Sequence, residues 1–288
     1  MPNTPPFPSI PHETLWDVDH WNAYVAKHGG LPYLVADKPT SIVGTPHFAN
    51  RLWLNMFRGP MQNPHGSLKV AHFHRALRPH PLILEAAARA MPPKPYGAIH
   101  LRLEDDLQGY AAFMRDRLGV KTNFELMAGT FVPKNPKWNT KFDETRDLEA
   151  CAARTTELYV AVGLEAVSNK EDKELLLAKK GPFSTTLVFK DGGDIARRFG
   201  VNAASSVGAI VDTEILADAA YYVGYAGLST FDRTLVDIRA TRDQYDARMA
   251  TPDNCTFTVG KNRQRGVVEV RADLPAGRLW MRHFQSFP

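Results

Sequence analysis

The 288-residue chain predicts an α/β fold, and three features carry that expectation. Short apolar runs alternate with amphipathic segments from residue 96 onward, the runs have strand lengths, and helix start and stop signals flank the segments between them. Hydrophobic residues make up 44% of the chain and charged residues 23%, which excludes a disordered polymer. The length suits one large or two modest domains.

In chain order, the proline-rich start from Met1 to Pro11 has no basic segment leading into an apolar core and reads as an extended leader rather than a signal peptide. Residues 12 to 96 read as irregular, with apolar runs broken at Pro32, Pro39, Pro46, Pro60 and Pro64, until a helix from Pro81 to Met91 that Pro92-Pro93 ends. Tyr96 to Leu103 reads as a short buried strand. Glu104-Asp105-Asp106 then opens a helix that runs through Leu118 to its stop at Gly119.

The unit recurs. Glu157 to Val162 is a predicted strand, Lys170 to Lys180 a charged helix with a solvated face, Ser184 to Phe189 a strand, and Asp194 to Phe199 a helix. Val207, Val211 and Ile215 recur every four residues beside Ile210 and Leu216, which marks a helix to about Ala220. Tyr221 to Tyr225 is the next strand, Gly227 its loop, and Ser229 to Arg239 the next helix. Such alternation implies a parallel sheet. Thr256 to Val259 and Val267 to Val270 alternate in period two around a polar Gly260 to Gly266 segment, the pattern of a C-terminal β-hairpin. The expected division is 1–95, 96–250 and 251–288.

Thirty-five Lys+Arg against thirty-one Asp+Glu give a formal net charge of +4, with no basic stripe, so no nucleic-acid partner is expected. No run approaches the roughly 18 apolar residues of a membrane span. Cys151 and Cys255 lack metal-site spacing and are too few for a disulfide framework, so they read as two buried thiols. Asn254-Cys255-Thr256 is a glycosylation sequon, meaningful only in a lumenal compartment.

Two strand ends could hold a phosphate, because ligands of open parallel sheets settle beyond the carboxyl ends of strands, where helix amides are free. At the first, Arg102 could aim a planar, permanent charge at a diphosphate, with Glu104 and Asp106 to orient it. The bland alternative is a salt bridge capping the sheet, and His100 alone reads as a satisfied core histidine. At the second, Val223 to Asp232, small residues lead into a helix with Ser229 as N-cap and Asp232 closing a capping box. Other chemistry-bearing patterns are weaker. Asp17-Val18-Asp19 has the form of a metal-binding acid pair but lies in a proline-rich region without a nucleotide-binding strand. His72 and His74, with His80 nearby, lack a third zinc ligand of the right spacing. Gly192-Gly193-Asp194 lacks the order of a dinucleotide signature and reads as a loop or helix N-cap.

At these residues the chain resembles the GDP-fucose protein O-fucosyltransferase family. The likeness rests on His100-Leu101-Arg102-Leu103-Glu104-Asp105-Asp106, on Asp212 through Phe231, on Leu15 to Trp21 with its Asp17-Val18-Asp19-His20 core, and on Ala71 to Arg78. It spans most of residues 15 to 240, and the order and spacing of the motifs carry it rather than any one of them. The resemblance implies a GT-B glycosyltransferase of two Rossmann-like halves, with 1–95 a reduced N-terminal half and 96–250 the nucleotide-sugar domain. It implies transfer of fucose from GDP-fucose to a protein or glycan hydroxyl, with inversion and without a metal or other cofactor. Arg102 would hold the β-phosphate and the glycosidic oxygen. Glu104 and Asp106 would orient it or touch the sugar. Ser229, Thr230 and Phe231 would bind phosphate and base, Asp212 would pair with guanine, and His100 would lie beside the nucleotide. Family members work in the secretory pathway. The glycine-rich loop that opens the first half in that family is not found here, so no general base is carried over. Transfer from another GDP-sugar, or a nucleotide-sugar-binding module without catalysis, are the alternatives.

Overall fold

The structure is a computed structural model that describes residues 12–29, 75–101, 103, 151–164, 167, 169–179, 185–224, 229, 231–232, 235, 238–239, 255–262 and 267–272. The chain divides into two compact units. One comprises Met1–Ala90 with Lys190–Glu214 and Pro288, and the other Met91–Phe189 with Ile215–Phe287. The described helices with defined bounds are α1 (His12–Leu15), α2 (Val18–His28), α3 (Pro81–Ala90), α4 (Lys170–Leu177), α5 (Gly192–Phe199) and α6 (Val201–Asp218). The strands are β1 (Gly97–His100), β2 (Glu157–Ala161), β3 (Thr186–Val188), β4 (Tyr221–Gly224), β5 (Thr256–Asn262) and β6 (Val267–Ala272).

In the first unit the described residues form helices and one isolated bridge, Trp16 to Pro79. Helix α2 corrects the irregular reading of this region. Asp17 caps it by accepting from the His20 amide at 2.9 Å, and Trp21 and Val25, four residues apart, are its buried stripe. Prolines elsewhere in the segment obscured a cap and a stripe that were both present. The Asp17 carboxylate is thus a helix cap, and His80 Nδ1 accepts from the Leu82 amide at 3.2 Å in the first turn of α3. Ile83, Ala86 and Ala87 form the buried face of α3. Arg198 of α5 reaches Glu85 of α3 at 3.3 Å. Helix α5 is capped by Asp191, which accepts from the Asp194 amide at 3.1 Å, so Gly192-Gly193-Asp194 is a helix's first turn. Val207 and Val211 on α6 are fully buried, as their spacing predicts.

The second unit holds the α/β sheet. Its order is β3-β2-β1-β4-β5-β6; neighbours from β3 to β5 are parallel, and β6 returns antiparallel to β5. Register centres on β1, where Ala98 lies opposite both Tyr159 of β2 and Tyr222 of β4. These central strands are buried along nearly their whole length, which is why they read as continuous apolar runs rather than alternating ones. The C-terminal hairpin forms, and through β5 it also extends the parallel sheet.

Two glycines make room for this packing. Gly97 sits opposite Tyr221, whose ring occupies the space a Cβ at Gly97 would need. Gly224 does the same for Tyr222 two residues earlier on the same face of β4. At the end of α6, Arg239 donates to the carbonyls of Leu216, Ala217 and Ala219 at 2.9, 3.2 and 2.9 Å, satisfying terminal acceptors that the helix itself leaves open.

The cysteine reading is overturned. Cys151 and Cys255 form a disulfide across 104 residues of sequence, with Cα atoms 6.0 Å apart. Cys151 precedes β2 and Cys255 precedes β5, so both half-cystines lie toward the amino ends of strands that run the same way. A separation of that size leaves no local signal. In the sheet β2 and β5 are separated by β1 and β4, so the link does not join neighbouring strands.

Candidate functional site at the carboxyl ends of β1 and β4

The strand order has one reversal that matters for chemistry. From β1 the chain proceeds outward to β2 and β3, then returns to lay β4 on the opposite side of β1. The β1/β4 boundary is therefore the topological switch point, and its carboxyl edge is where an open parallel sheet binds ligands.

Two of the expected segments meet there. His100 is the last residue of β1, with its side chain 15% exposed, and Ser229, Phe231 and Asp232 follow β4. His100 Nδ1 and Asp232 Oδ1 are 2.8 Å apart, and the rings of His100 and Phe231 have centroids 4.7 Å apart and are tilted. Because a carboxylate only accepts, Nδ1 is the nitrogen that carries hydrogen. Tyr222 donates its hydroxyl to the same Asp232 oxygen, whose side chain is completely buried. Ser229 is the helix cap, since its Oγ accepts from the Asp232 amide at 3.3 Å. The reciprocal half of the expected capping box does not form: the Asp232 carboxylate turns to His100 and Tyr222. Its Oδ2 is buried without a hydrogen-bond partner.

Sequence reasoning placed His100 beside the nucleotide and assigned Asp232 only a cap, so their pairing was missed. Ser-x-x-Asp signals a helix start, and nothing within ten residues of Asp232 names a histidine on a strand 132 positions earlier. Among the other expected site residues, Arg102, Glu104, Asp106 and Thr230 lie outside the described residues, as do His72 and His74. Asp212 belongs to the first unit. It is buried on α6 and pairs with Lys190 Nζ at 2.5 Å, and the Lys190 side chain passes close to Gly208 one turn earlier.

Among the described residues, no group of three or more His, Cys, Asp or Glu side chains could hold a metal ion, and no helix is long and apolar enough to cross a membrane. No protein-family model matches the chain, and no curated protein matches it.

Proposed function

We propose that this chain is an inverting, metal-independent glycosyltransferase of GT-B type that moves fucose from GDP-fucose to a protein or glycan hydroxyl. The observation that carries the reading is the meeting of His100 with Ser229, Phe231 and Asp232 at the switch point of a parallel sheet. These are the two segments that the family's motifs would bring to the nucleotide. The Cys151–Cys255 disulfide suits a protein that folds in an oxidising compartment, as the secretory pathway provides.

In this mechanism the diphosphate binds beyond β1 and β4. Ser229 and the first amides of its helix face the phosphates, and Phe231 flanks the base. Arg102, two residues past His100, holds the β-phosphate. As the bond from the anomeric carbon to the phosphate oxygen breaks, negative charge grows on GDP. A fixed guanidinium stabilises that charge more in the transition state than in the ground state. The acceptor hydroxyl oxygen forms its bond to the anomeric carbon from the opposite face and releases its proton to water.

The test is turnover of GDP-fucose, with and without acceptor, in the presence of EDTA. Arg102→Ala is expected to lower turnover by about 10²–10³-fold while GDP binding weakens much less, the signature of an interaction strongest in the transition state. Equal turnover in the variant removes Arg102 from the mechanism. A strict Mn²⁺ requirement removes the metal-independent one. GDP binding with no transfer to any acceptor favours a binding module.

A further inference from the structure

We infer that Asp232 is a positioning residue that makes donor binding take up a proton at His100; this rests on the proposed binding of a nucleotide diphosphate at the β1/β4 edge. The inference starts from the bonding of one carboxylate. Asp232 is completely buried, its Oδ1 receives both His100 Nδ1 and the Tyr222 hydroxyl, and its Oδ2 has no hydrogen-bond partner. A buried carboxylate in that position is under-neutralised by a hydroxyl donor alone, and among the described residues the imidazole is the titratable group in contact with it that can carry positive charge.

Described groups that face His100 include Asp232 from the helix after β4, the Phe231 ring from the same helix, and, through Asp232, the Tyr222 hydroxyl of β4. When a diphosphate arrives, the imidazole has an anion on each side. Two flanking anions favour the imidazolium, in which both ring nitrogens carry hydrogen. The proton comes from solvent and returns to it when GDP leaves, so no other reactant is needed. The device gives the site a charge that appears with its ligand, while Asp232 holds the ring in place by its bond to Nδ1.

Calorimetric titration with GDP-fucose tests this, because its diphosphate is esterified at both ends and has no ionisation of its own near neutrality. Titrations at pH 8 in Tris and in HEPES, whose ionisation heats differ, count the protons exchanged. The unmutated chain is expected to take up a substantial fraction of one proton, falling toward zero near pH 5.5. Asp232→Asn keeps the acceptor for Nδ1 and Tyr222 but removes the charge. It is expected to abolish most of the uptake and weaken binding about tenfold, whereas Tyr222→Phe keeps the uptake. Donor binding without uptake, or unchanged uptake in Asp232→Asn, overturns the inference and leaves the proposed function standing. No binding by the unmutated chain overturns both. If Asp232→Asn fails to fold, the ¹³Cε1 and ¹⁵N resonances of His100 in the unmutated chain decide: they move to imidazolium values on donor addition, and resonances that stay put contradict the inference.

Discussion

Single side chains in the sheet carry unusual electrostatic weight because the central strands exclude water. Tyr221 is the clearest case. Burial pushes its phenol well above the ordinary 10.0, outweighing the opposing effect of a hydrogen bond with the Thr155 side chain. The sign of the consequence follows from linkage. Above about pH 10 the unfolded chain releases this proton while the folded chain keeps it, so stability is full below that pH and falls as pH rises beyond it. Tyr221→Phe is therefore expected to flatten the alkaline limb of the stability profile, read by urea denaturation between pH 8 and 11. An unchanged slope would show that this phenol is not held in its neutral form. His100 and Asp232 show how far residue chemistry could be foreseen. The histidine, the serine cap and the phenylalanine were legible as types at strand and helix ends. The direction of the Asp232 carboxylate was not, because it is decided by donors on two neighbouring strands.

At the scale of elements, the strands were written plainly in the sequence. Expected runs at Tyr96–Leu103, Glu157–Val162, Ser184–Phe189 and Tyr221–Tyr225 contain β1 to β4, and the expected charged helix contains α4. Strands buried on both faces have a local signature in their continuous apolar runs. Pairing has none, so the parallel union of β4 with β5, which makes the hairpin part of the main sheet, could not be read from the period-two pattern of Thr256 to Val270. Gly224 shows how an element is tuned to its neighbours. A Cβ there would collide with the Tyr222 hydroxyl and Asp232 Oδ1, both part of the hydrogen-bonded cluster at the strand's end. Gly224→Ala is expected to cost about 1–3 kcal/mol, the usual range for overpacking, and to weaken donor binding. Chemical denaturation checks the first effect, and a variant as stable as its parent contradicts the close packing described.

For the whole molecule, the disulfide and the candidate site occupy opposite edges of one sheet. Cys151–Cys255 ties segments that precede β2 and β5, while His100 and the Ser229 helix lie past the ends of β1 and β4. Closing a loop over 104 residues of separation removes much unfolded-state entropy, so the Cys151→Ala/Cys255→Ala pair is expected to lose roughly 2–5 kcal/mol. An unshifted denaturation midpoint would falsify a stabilising cross-link. Because the clamp is remote from the carboxyl edge, the double variant that remains folded is expected to bind GDP as its parent does.

The proposed function requires a nucleotide diphosphate to bind at the carboxyl ends of β1 and β4, where the connections leaving these parallel neighbours run to opposite sides of the sheet. A crystal structure of the chain soaked with GDP tests it most directly. The account predicts the diphosphate beyond the carboxyl ends of β1 and β4, within reach of His100 and the Ser229 turn. GDP bound elsewhere, with those residues untouched, would contradict it.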